Sequence, residues 1–155
     1  MIGTETFVKL LSDRVQFMEH PVLLYDGVCG LCNRTVQFVL RYDREKKFRF
    51  APLQSAFAAS LLSKKGVDAS DLNSFYIVVF CEEGEILLKR SEAVLFVLER
   101  LPGIWPAMAR VLRLVPRVIR DWGYRVIARN RYQLFGRYDE CPLPSESDRE
   151  RFIEV

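Results

Sequence analysis

Two cysteines three positions apart carry the most reactive chemistry of this sequence. Cys29 and Cys32 follow an apolar run, Val22-Leu-Leu-Tyr, at the point where a strand-like pattern changes to a helical one. The unpaired N–H groups and the dipole of a helix's first turn stabilise an anion by about 0.3–1 kcal/mol, and by up to ~2 kcal/mol when partly buried. About 1.4 kcal/mol corresponds to one pKa unit, so a thiol here should have a lowered pKa. The pattern predicts a reactive thiolate.

The spacing of this pair suits both steps of disulfide exchange. Cys29 is predicted to attack a substrate disulfide, and Cys32, one helical turn further on, to attack the mixed disulfide and release the reduced product. Closing so short a loop restrains the unfolded chain only weakly, by roughly 2 kcal/mol. We therefore expect a solvent-exposed, reversible couple rather than a structural disulfide.

Asp26 lies at the end of the predicted strand, three residues before Cys29. Its carboxylate is predicted to accept the proton of Cys32 when that thiol becomes the nucleophile, or to orient the loop by hydrogen bonds. The alternative is a turn aspartate that bonds its own backbone at the Asp-Gly step. Because a nearby carboxylate also raises the pKa of Cys29, the sequence leaves the redox potential open.

Two other interpretations of the cysteine pair stay open. Both residues are small enough to be buried as hydrophobic residues at a helix start. Alternatively, the pair belongs to a metal site with ligands from elsewhere in the chain, namely Cys81, Cys141 and His20. Zinc sites usually contain a second closely spaced pair, and this sequence has none. No metal and no other cofactor is predicted.

The remaining cysteines and the single histidine have less distinctive positions. Cys81 is predicted to end a strand at the sheet edge opposite the active pair, as a core or rim residue. Cys141 precedes a proline near the C-terminus, where it is either a packing residue or a second resolving thiol that approaches Cys29. His20 precedes the first strand, and we expect it to be a surface or packing residue rather than a base.

The composition limits the classes of protein to consider. The chain has 155 residues, of which half are hydrophobic, enough for one domain with a core. Its charged fraction of 28% and net charge of +3 are typical of a soluble protein rather than a nucleic-acid binder. Charged residues interrupt the first 20 positions, and nowhere do 18 apolar residues run together. We expect a cytoplasmic protein, where cysteine pairs are usually catalytic or metal-binding.

The elements that position the pair follow from the periodicity of apolar residues. Strands are predicted at 22–26, 48–51, 75–81 and 86–89, and helices at 32–42, 56–65 and 92–101. Gly66 ends the second helix, and Ser91 is expected to cap the third. The order β-α-β-α-β-β-α is that of an α/β fold, and the helix between the first two strands requires a right-handed parallel crossover.

Two more helices are predicted after this core, at 105–115 and 116–131, with Pro116 at a helix start. No low-complexity linker precedes them, so we expect a helical extension, 104–141, that packs on the core at about 20–103 as part of a single domain, 1–141. The polar residues 142–155 are predicted to form a fraying tail.

The helical extension is basic and amphipathic. Its arginines, which occur with little acid, are Arg110, Arg113, Arg117, Arg120, Arg125, Arg129, Arg131 and Arg137. Its apolar positions are Trp105, Met108, Leu112, Ile119, Trp122 and Val126. We expect the apolar residues to pack on the core and the arginines to be solvated. The alternative is an interfacial helix on anionic lipid.

The stretch Asp26-Gly-Val-Cys29-Gly-Leu-Cys32-Asn33 resembles the signature of the DCC family of predicted thiol-disulfide oxidoreductases, which is named for its aspartate and two cysteines. The similarity continues at 48–54, 90–93, 128–132, 135–137 and Cys141. It therefore covers nearly the whole chain. The resemblance implies a thioredoxin-like fold, in agreement with the predicted order of elements, and a redox role.

One position departs from the thioredoxin-like pattern. Such enzymes generally place a cis-proline just before the third strand, facing the active cysteines, whereas this chain has Leu72-Asn73-Ser74. We expect Asn73 and Ser74 to offer hydrogen bonds to the substrate at that place, and Ser91 to line the same groove.

The expected function is that of a protein-disulfide reductase. Its substrate is predicted to be a disulfide-containing protein or a small thiol compound, with an electron donor that the sequence leaves unidentified and without nucleic acid. The competing hypothesis is a non-enzymatic module on the same scaffold that binds metal or contacts a membrane surface.

Overall fold

The computed structural model describes residues 20–68 and 74–154. Within them, four strands form one sheet: β1 (Val22–Tyr25), β2 (Arg49–Pro52), β3 (Tyr76–Cys81) and β4 (Gly84–Lys89). The helices in these ranges are α1 (Gly30–Tyr42), α2 (Ala56–Lys64), α3 (Ser91–Arg100), α4 (Trp105–Leu114) and α5 (Arg117–Phe135), and a short 3-10 helix follows at Arg149–Arg151.

The sheet has the order β2-β1-β3-β4. β1 and β2 are parallel and are joined by α1, whereas β3 runs antiparallel to both β1 and β4. Because parallel neighbours need a crossover, α1 must cross one face of the sheet and begin directly after the end of β1. The predicted order of elements and the thioredoxin-like fold are confirmed.

β1 is buried on both faces, since helices cover both sides of the sheet. Leu23 and Tyr25 point to the side of α1 and α3, in a cluster that includes Cys29 and Cys32. Val22 and Leu24 point to the other side and pack with residues of α2. The cysteine pair therefore lies inside the larger apolar cluster and not at its margin.

The C-terminal helices contact the core through α1 and α3. α4 packs on α3, and α5 packs on both α1 and α3. The Trp105 ring of α4 meets Phe38 and Tyr42 of α1 edge-on, with ring centroids 4.7 Å and 5.2 Å apart. Extending α5 to Phe135, beyond the predicted end at residue 131, brings its C-terminus to the start of α1.

The apolar residues of the extension do not pack as predicted. Five of the six apolar positions expected to face the core are exposed: Met108, Leu112, Ile119, Trp122 and Val126. The face of α5 that packs inward instead carries Tyr124, Ala128 and Arg131, and two of these side chains have polar partners in the core. An amphipathic pattern alone does not specify which face is turned inward.

The end of the chain differs from the expectation of a fraying tail. Phe152 pairs with Phe50 in a parallel bridge and stacks on its ring at 5.1 Å, and the Ile153 N–H donates to the Phe50 carbonyl at 2.8 Å. Arg151 forms a buried ion pair with Asp43 at the end of α1. The prediction of a fraying tail, made from its polar composition, was wrong here. Arg151 can be buried because a carboxylate distant in the chain, Asp43, neutralises its charge.

Ser91 does not cap α3, contrary to the prediction. It is the first helical residue, and Arg90, with a φ of 56°, occupies the cap position without a capping side chain. The Ser91 hydroxyl donates to the carboxylate of Asp121 on α5. Burial acts to raise the pKa of Asp121, but the hydrogen bonds from Ser91 outweigh it and the pKa is lowered. α5 thus supplies the carboxylate at the start of α3.

Candidate active site

Cys29 is the N-cap residue of α1, with an extended backbone at φ −82° and ψ 124°. Its N–H donates to the Asp26 carbonyl at 3.2 Å, and its carbonyl accepts the first helical hydrogen bond, from Asn33, at 3.0 Å. The helix starts at Gly30, two residues earlier than predicted. Cys32 consequently lies in the first turn, on the same helix end as Cys29.

The two thiols have opposite electrostatic environments. A hydrogen bond with Cys32 is the largest influence on Cys29 and lowers its pKa to about 6, although burial acts in the opposite direction. The backbone N–H of Cys32 and the charge of Arg131 lower it further. The same hydrogen bond, together with burial, raises the pKa of Cys32. The predicted lowering of the Cys29 pKa is therefore present, but the neighbouring Cys32 thiol contributes more to it than the helix start.

The cysteine pair is closed to solvent, contrary to the expectation of an exposed couple and in agreement with the alternative of two residues buried at a helix start. Cys29 is 0% exposed and Cys32 is 8% exposed. Residues 136–138, which follow α5, pair with the backbone on either side of Cys29 and are called the covering segment below. Its strand-like pairing joins Arg137 to Cys29, with the Gly30 N–H donating to the Gly136 carbonyl at 3.1 Å and the Tyr138 N–H to the Val28 carbonyl at 2.7 Å.

Gly30 permits this close approach. A Cβ atom at this position would lie 2.0 Å from the carbonyl oxygen of Phe135 and 3.0 Å from that of Gly136. Real Cβ contacts are not this short, so only glycine fits here without displacing the end of α5. The first of the two residues between the cysteines therefore allows the covering segment to approach.

The Asp26 carboxylate is fully hydrogen-bonded and buried. Its Oδ1 atom accepts from the Val28 N–H at 3.1 Å and from Gln54 Nε2 at 2.8 Å. Its Oδ2 atom accepts from Arg131 Nη2 at 3.1 Å and from the hydroxyl of Tyr132. The bond to Val28 spans the Asp-Gly step, so it fits both the loop-orienting role and the alternative of a turn aspartate that bonds its own backbone.

These contacts bear on the role of Asp26 as a proton acceptor for Cys32. A carboxylate has about four acceptor sites, and Asp26 uses all of them. Its charge is also paired with Arg131, with side-chain exposures of 0% and 4%. Proton transfer from Cys32 to Asp26 remains a prediction and requires one of these four donors to leave.

Arg131 links Asp26 to the thiols. Burial acts to lower its pKa, but the neighbouring Cys32, Tyr132 and Cys29 outweigh it and the pKa is raised. Its Nε atom is buried and has no hydrogen-bond partner within the described residues. The only buried cation beside the cysteines in this part of the structure is therefore supplied by α5, more than 100 positions from Asp26 along the chain.

The loop between β1 and α1 is further fixed by amide side chains. Asn33 Nδ2 donates to the carbonyls of Gly27 and Cys29, at 2.8 Å and 3.0 Å, and Gln54 Oε1 accepts from the Gly27 N–H at 3.2 Å. Gln54, which follows the end of β2, thus forms hydrogen bonds with both Gly27 and Asp26.

Cys141 lies beside this loop. Its Sγ atom is 3.8 Å from the Tyr25 hydroxyl and would be 2.8 Å from a Cβ atom at Gly27. Burial raises the pKa of Tyr25, and the neighbouring Cys141 and Cys32 act in the same direction. Cys141 also packs against the core cluster, as expected of a packing residue, whereas its approach to Cys29 as a second resolving thiol remains a prediction.

The predicted substrate-binding residues before β3 are only partly described. Asn73 lies outside the described residues, and Ser74 is buried. The N–H of the next residue, Phe75, donates to the hydroxyl of Tyr124 on α5 at 2.7 Å. Burial raises the pKa of Tyr124 to about 12, so this hydroxyl stays neutral. Substrate contacts by Asn73, Ser74 and the buried Ser91 remain predictions.

The alternative metal ligands do not come together. Cys81 is exposed at the end of β3, away from the end of β1 that precedes the cysteine pair. The His20 ring donates to the Lys47 carbonyl at 3.1 Å. Throughout residues 20–68 and 74–154, no three His, Cys, Asp or Glu side chains form a group that would hold a metal ion.

Several residues of the site were not predicted to act there. They are Gln54, Tyr124, Arg131, Tyr132 and the covering segment. Gln54, Arg131, Tyr132 and Arg137 occur in the segments that carry the family resemblance, and that was the available signal. Nothing in their local sequence indicates a contact with Asp26 or Cys29.

None of the helices in the described part of the chain is long and apolar enough to cross a bilayer.

Comparisons with known proteins identify the family of this chain. Residues 23–137 match the family model described as DCC1-like thiol-disulfide oxidoreductase. The uncharacterised protein YuxK of Bacillus subtilis (strain 168) is 42% identical over 132 residues, covering 85% of this chain and 93% of its own length. A chloroplastic DCC family protein of Arabidopsis thaliana is 39% identical over 137 residues, covering 88% of this chain and 77% of its own. No solved structure shows significant similarity. The chain belongs to the DCC1-like thiol-disulfide oxidoreductase family.

Proposed function

We propose that this protein is a protein-disulfide reductase in which Cys29 is the nucleophile and Cys32 the resolving thiol. The observation that carries the proposal is the pair's electrostatic asymmetry at the start of α1. Cys29 has a pKa lowered to about 6 by its hydrogen bond with Cys32, whereas the pKa of Cys32 is raised. At neutral pH the pair therefore holds one thiolate and one thiol, the reactants for successive attacks.

The exchange proceeds in two balanced steps. The Cys29 thiolate attacks one sulfur of the substrate disulfide, which forms a mixed disulfide and releases the other substrate sulfur as a thiolate. Cys32 then loses its proton and attacks Cys29, which forms the Cys29–Cys32 disulfide and releases the second substrate thiolate. The substrate gains two electrons and two protons, one proton from Cys32 and one from solvent. An external dithiol restores the reduced pair.

Access to Cys29 requires movement of the covering segment. The segment is held to residues 28–30 by two backbone hydrogen bonds, and Cys29 has no exposed surface while they are intact. We therefore include separation of residues 136–138 from the loop as the first step of the proposed cycle. The freed Val28 carbonyl and Gly30 N–H would then be available to a peptide backbone that adds to this edge.

Insulin reduction with dithiothreitol as the electron donor tests the proposal. The catalysed rate is the rate of insulin reduction after the uncatalysed background is subtracted. We expect Cys29→Ser to lower this catalysed rate by at least about a hundredfold, because serine is not an attacking thiolate. Cys32→Ser should instead accumulate a mixed disulfide with the substrate, detected by mass spectrometry. Cys81→Ser is the matched control, since Cys81 is exposed at the opposite end of β3, and should retain the full rate. Equal rates for wild type and Cys29→Ser would refute the proposal.

A further inference from the structure

α5 has an inner face that packs on the protein and an outer, apolar face that does not. Tyr124, Ala128 and Arg131 face the core. On the opposite side lie Val118, Ile119, Trp122 and Val126, which we call the outer stripe. The spacing of these four residues places them on one side of a helix. They are 76%, 56%, 62% and 44% exposed. Burying such a residue is worth roughly 1.5–3 kcal/mol. The outer stripe is therefore an exposed apolar patch of the kind that marks an interaction site.

Basic side chains accompany the outer stripe. Arg125 and Arg129 follow Trp122 and Val126 by three residues each, and therefore lie on the same side of α5. Neither forms an ion pair with a carboxylate in the part of the chain that the structure describes. The one acidic residue of α5, Asp121, is occupied by Ser91 and Arg117. The outer face of α5 thus combines apolar and cationic groups without acidic ones.

We propose that the outer stripe docks on the surface of an anionic phospholipid bilayer. Val118, Ile119, Trp122 and Val126 enter the boundary between headgroups and acyl chains, where tryptophan is favoured because one end of the ring is apolar and the other polar. Arg125 and Arg129 lie at headgroup level and contact lipid phosphates. The helix lies along the surface and does not span the bilayer.

Charge decides between this partner and a second copy of the chain. A two-fold contact between outer stripes would bring Arg125 and Arg129 of both copies onto one small surface. No carboxylate on that face is available to neutralise these arginines, so the arginines of two copies would repel each other. The phosphates of an anionic lipid surface would instead attract them.

Vesicle flotation tests this docking surface independently of the redox chemistry. The full chain carrying Cys29→Ser and Cys32→Ser is mixed with vesicles of phosphatidylcholine alone or of phosphatidylcholine with phosphatidylglycerol. We expect it to float with the mixed vesicles and to stay behind with the neutral ones. Trp122→Ser should abolish flotation, and Arg125→Gln with Arg129→Gln should weaken binding by roughly fivefold per arginine, the equivalent of about 1 kcal/mol each.

Matched variants distinguish binding by the outer stripe from nonspecific vesicle binding by other exposed residues. Ile86→Ser removes a comparably exposed apolar residue, 52% exposed, from β4, and Lys64→Gln with Lys65→Gln removes two exposed charges beside the end of α2. Both should float like the parent chain. Absence of flotation with the mixed vesicles, equal losses in these controls, or a dimer in light scattering that Trp122→Ser dissociates would overturn the proposal.

Discussion

Arg131 donates to Asp26 at 3.1 Å across a fully buried contact between the last helix and the end of the first strand. Asp26 lies three residues before Cys29, and the charge of Arg131 helps to lower the pKa of that thiol. α5 is therefore part of the candidate active site as well as a packing element. The ion pair gives the loop before α1 its position and supplies the thiolate with a buried cation.

Arg131→Gln should both destabilise the protein and make Cys29 less acidic. Removing one partner of a buried ion pair costs about 3–5 kcal/mol, because the other charge is left uncompensated. The free energy of unfolding is measured by urea denaturation. The pKa of Cys29 should rise, since Arg131 is one of the groups that lower it, and the pH dependence of iodoacetamide alkylation measures this rise.

Arg151→Gln provides the matched control for that variant. Arg151 pairs with Asp43 at the opposite end of α1, and both side chains are equally buried. This variant should lose a similar free energy of unfolding yet leave the alkylation midpoint of Cys29 unchanged. If both variants moved the midpoint equally, the effect of Arg131 would be structural and not electrostatic.

Alkylation of Cys29 in the wild type should have its midpoint near pH 6. The folded pKa lies below the ordinary thiol value of 9.0. The reactive thiolate therefore persists as the pH falls from 9 to about 6 and is lost only below that. Cys32→Ala should move the midpoint upward, because the hydrogen bond from Cys32 is the largest influence. Cys32→Ser keeps a donor and should move it less. Peptide mass spectrometry assigns the label to Cys29, and a wild-type midpoint near 9 would contradict the prediction.

Tyr138→Pro should speed the alkylation of Cys29 without moving its midpoint. Proline has no N–H, so the hydrogen bond to the Val28 carbonyl is lost and the covering segment separates more often. The change concerns access to the sulfur and not its charge. Tyr138→Ala retains the backbone donor and is the control, which should react close to the wild-type rate. Identical rates for the proline and alanine variants would show that this hydrogen bond does not limit access.

Gly30→Ala and Gly123→Ala should have opposite effects on stability. At Gly30 the added Cβ meets the Phe135 carbonyl at 2.0 Å, so the end of α5 must shift, with an overpacking cost of about 1–3 kcal/mol. At Gly123, within α5, the added Cβ meets no atom within 4 Å apart from its chain neighbours and the helix's own backbone, and alanine should stabilise the helix by about 0.5–1 kcal/mol. Thermal unfolding of both variants measures the difference. A neutral Gly30→Ala would contradict the close approach of α5 to α1.

Patterns local in the chain predicted the core of the fold. Alternation and helical periodicity placed the strands and helices within about two residues over most of 22–101, because a burial pattern is written directly into neighbouring positions. The start of α1 was predicted at Cys32 and lies at Gly30. That shift makes Cys29 the N-cap residue, so the predicted helix-start environment of the thiol still holds.

Contacts between distant segments were not predictable in this way. Phe152 and Arg151 pack on Phe50 and Asp43 although the tail is polar in composition. The outer stripe of α5 is exposed although its periodicity is that of a core-facing helix. In each case the outcome depends on a partner about a hundred positions away or on the choice between two helix faces, and neither is encoded in residue spacing.

The sequence by itself determined the local arrangement of the candidate site: two thiols one turn apart at the end of a buried strand, with an aspartate before them, in the order of elements of a thioredoxin-like fold. Only the tertiary structure decided that Asp26 is paired with Arg131, that residues 136–138 cover Cys29, and that one apolar face of α5 remains uncovered. The physical reason is range. Helix starts and strand ends arise from neighbouring residues, whereas burial and charge pairing arise from segments that meet only in the folded chain.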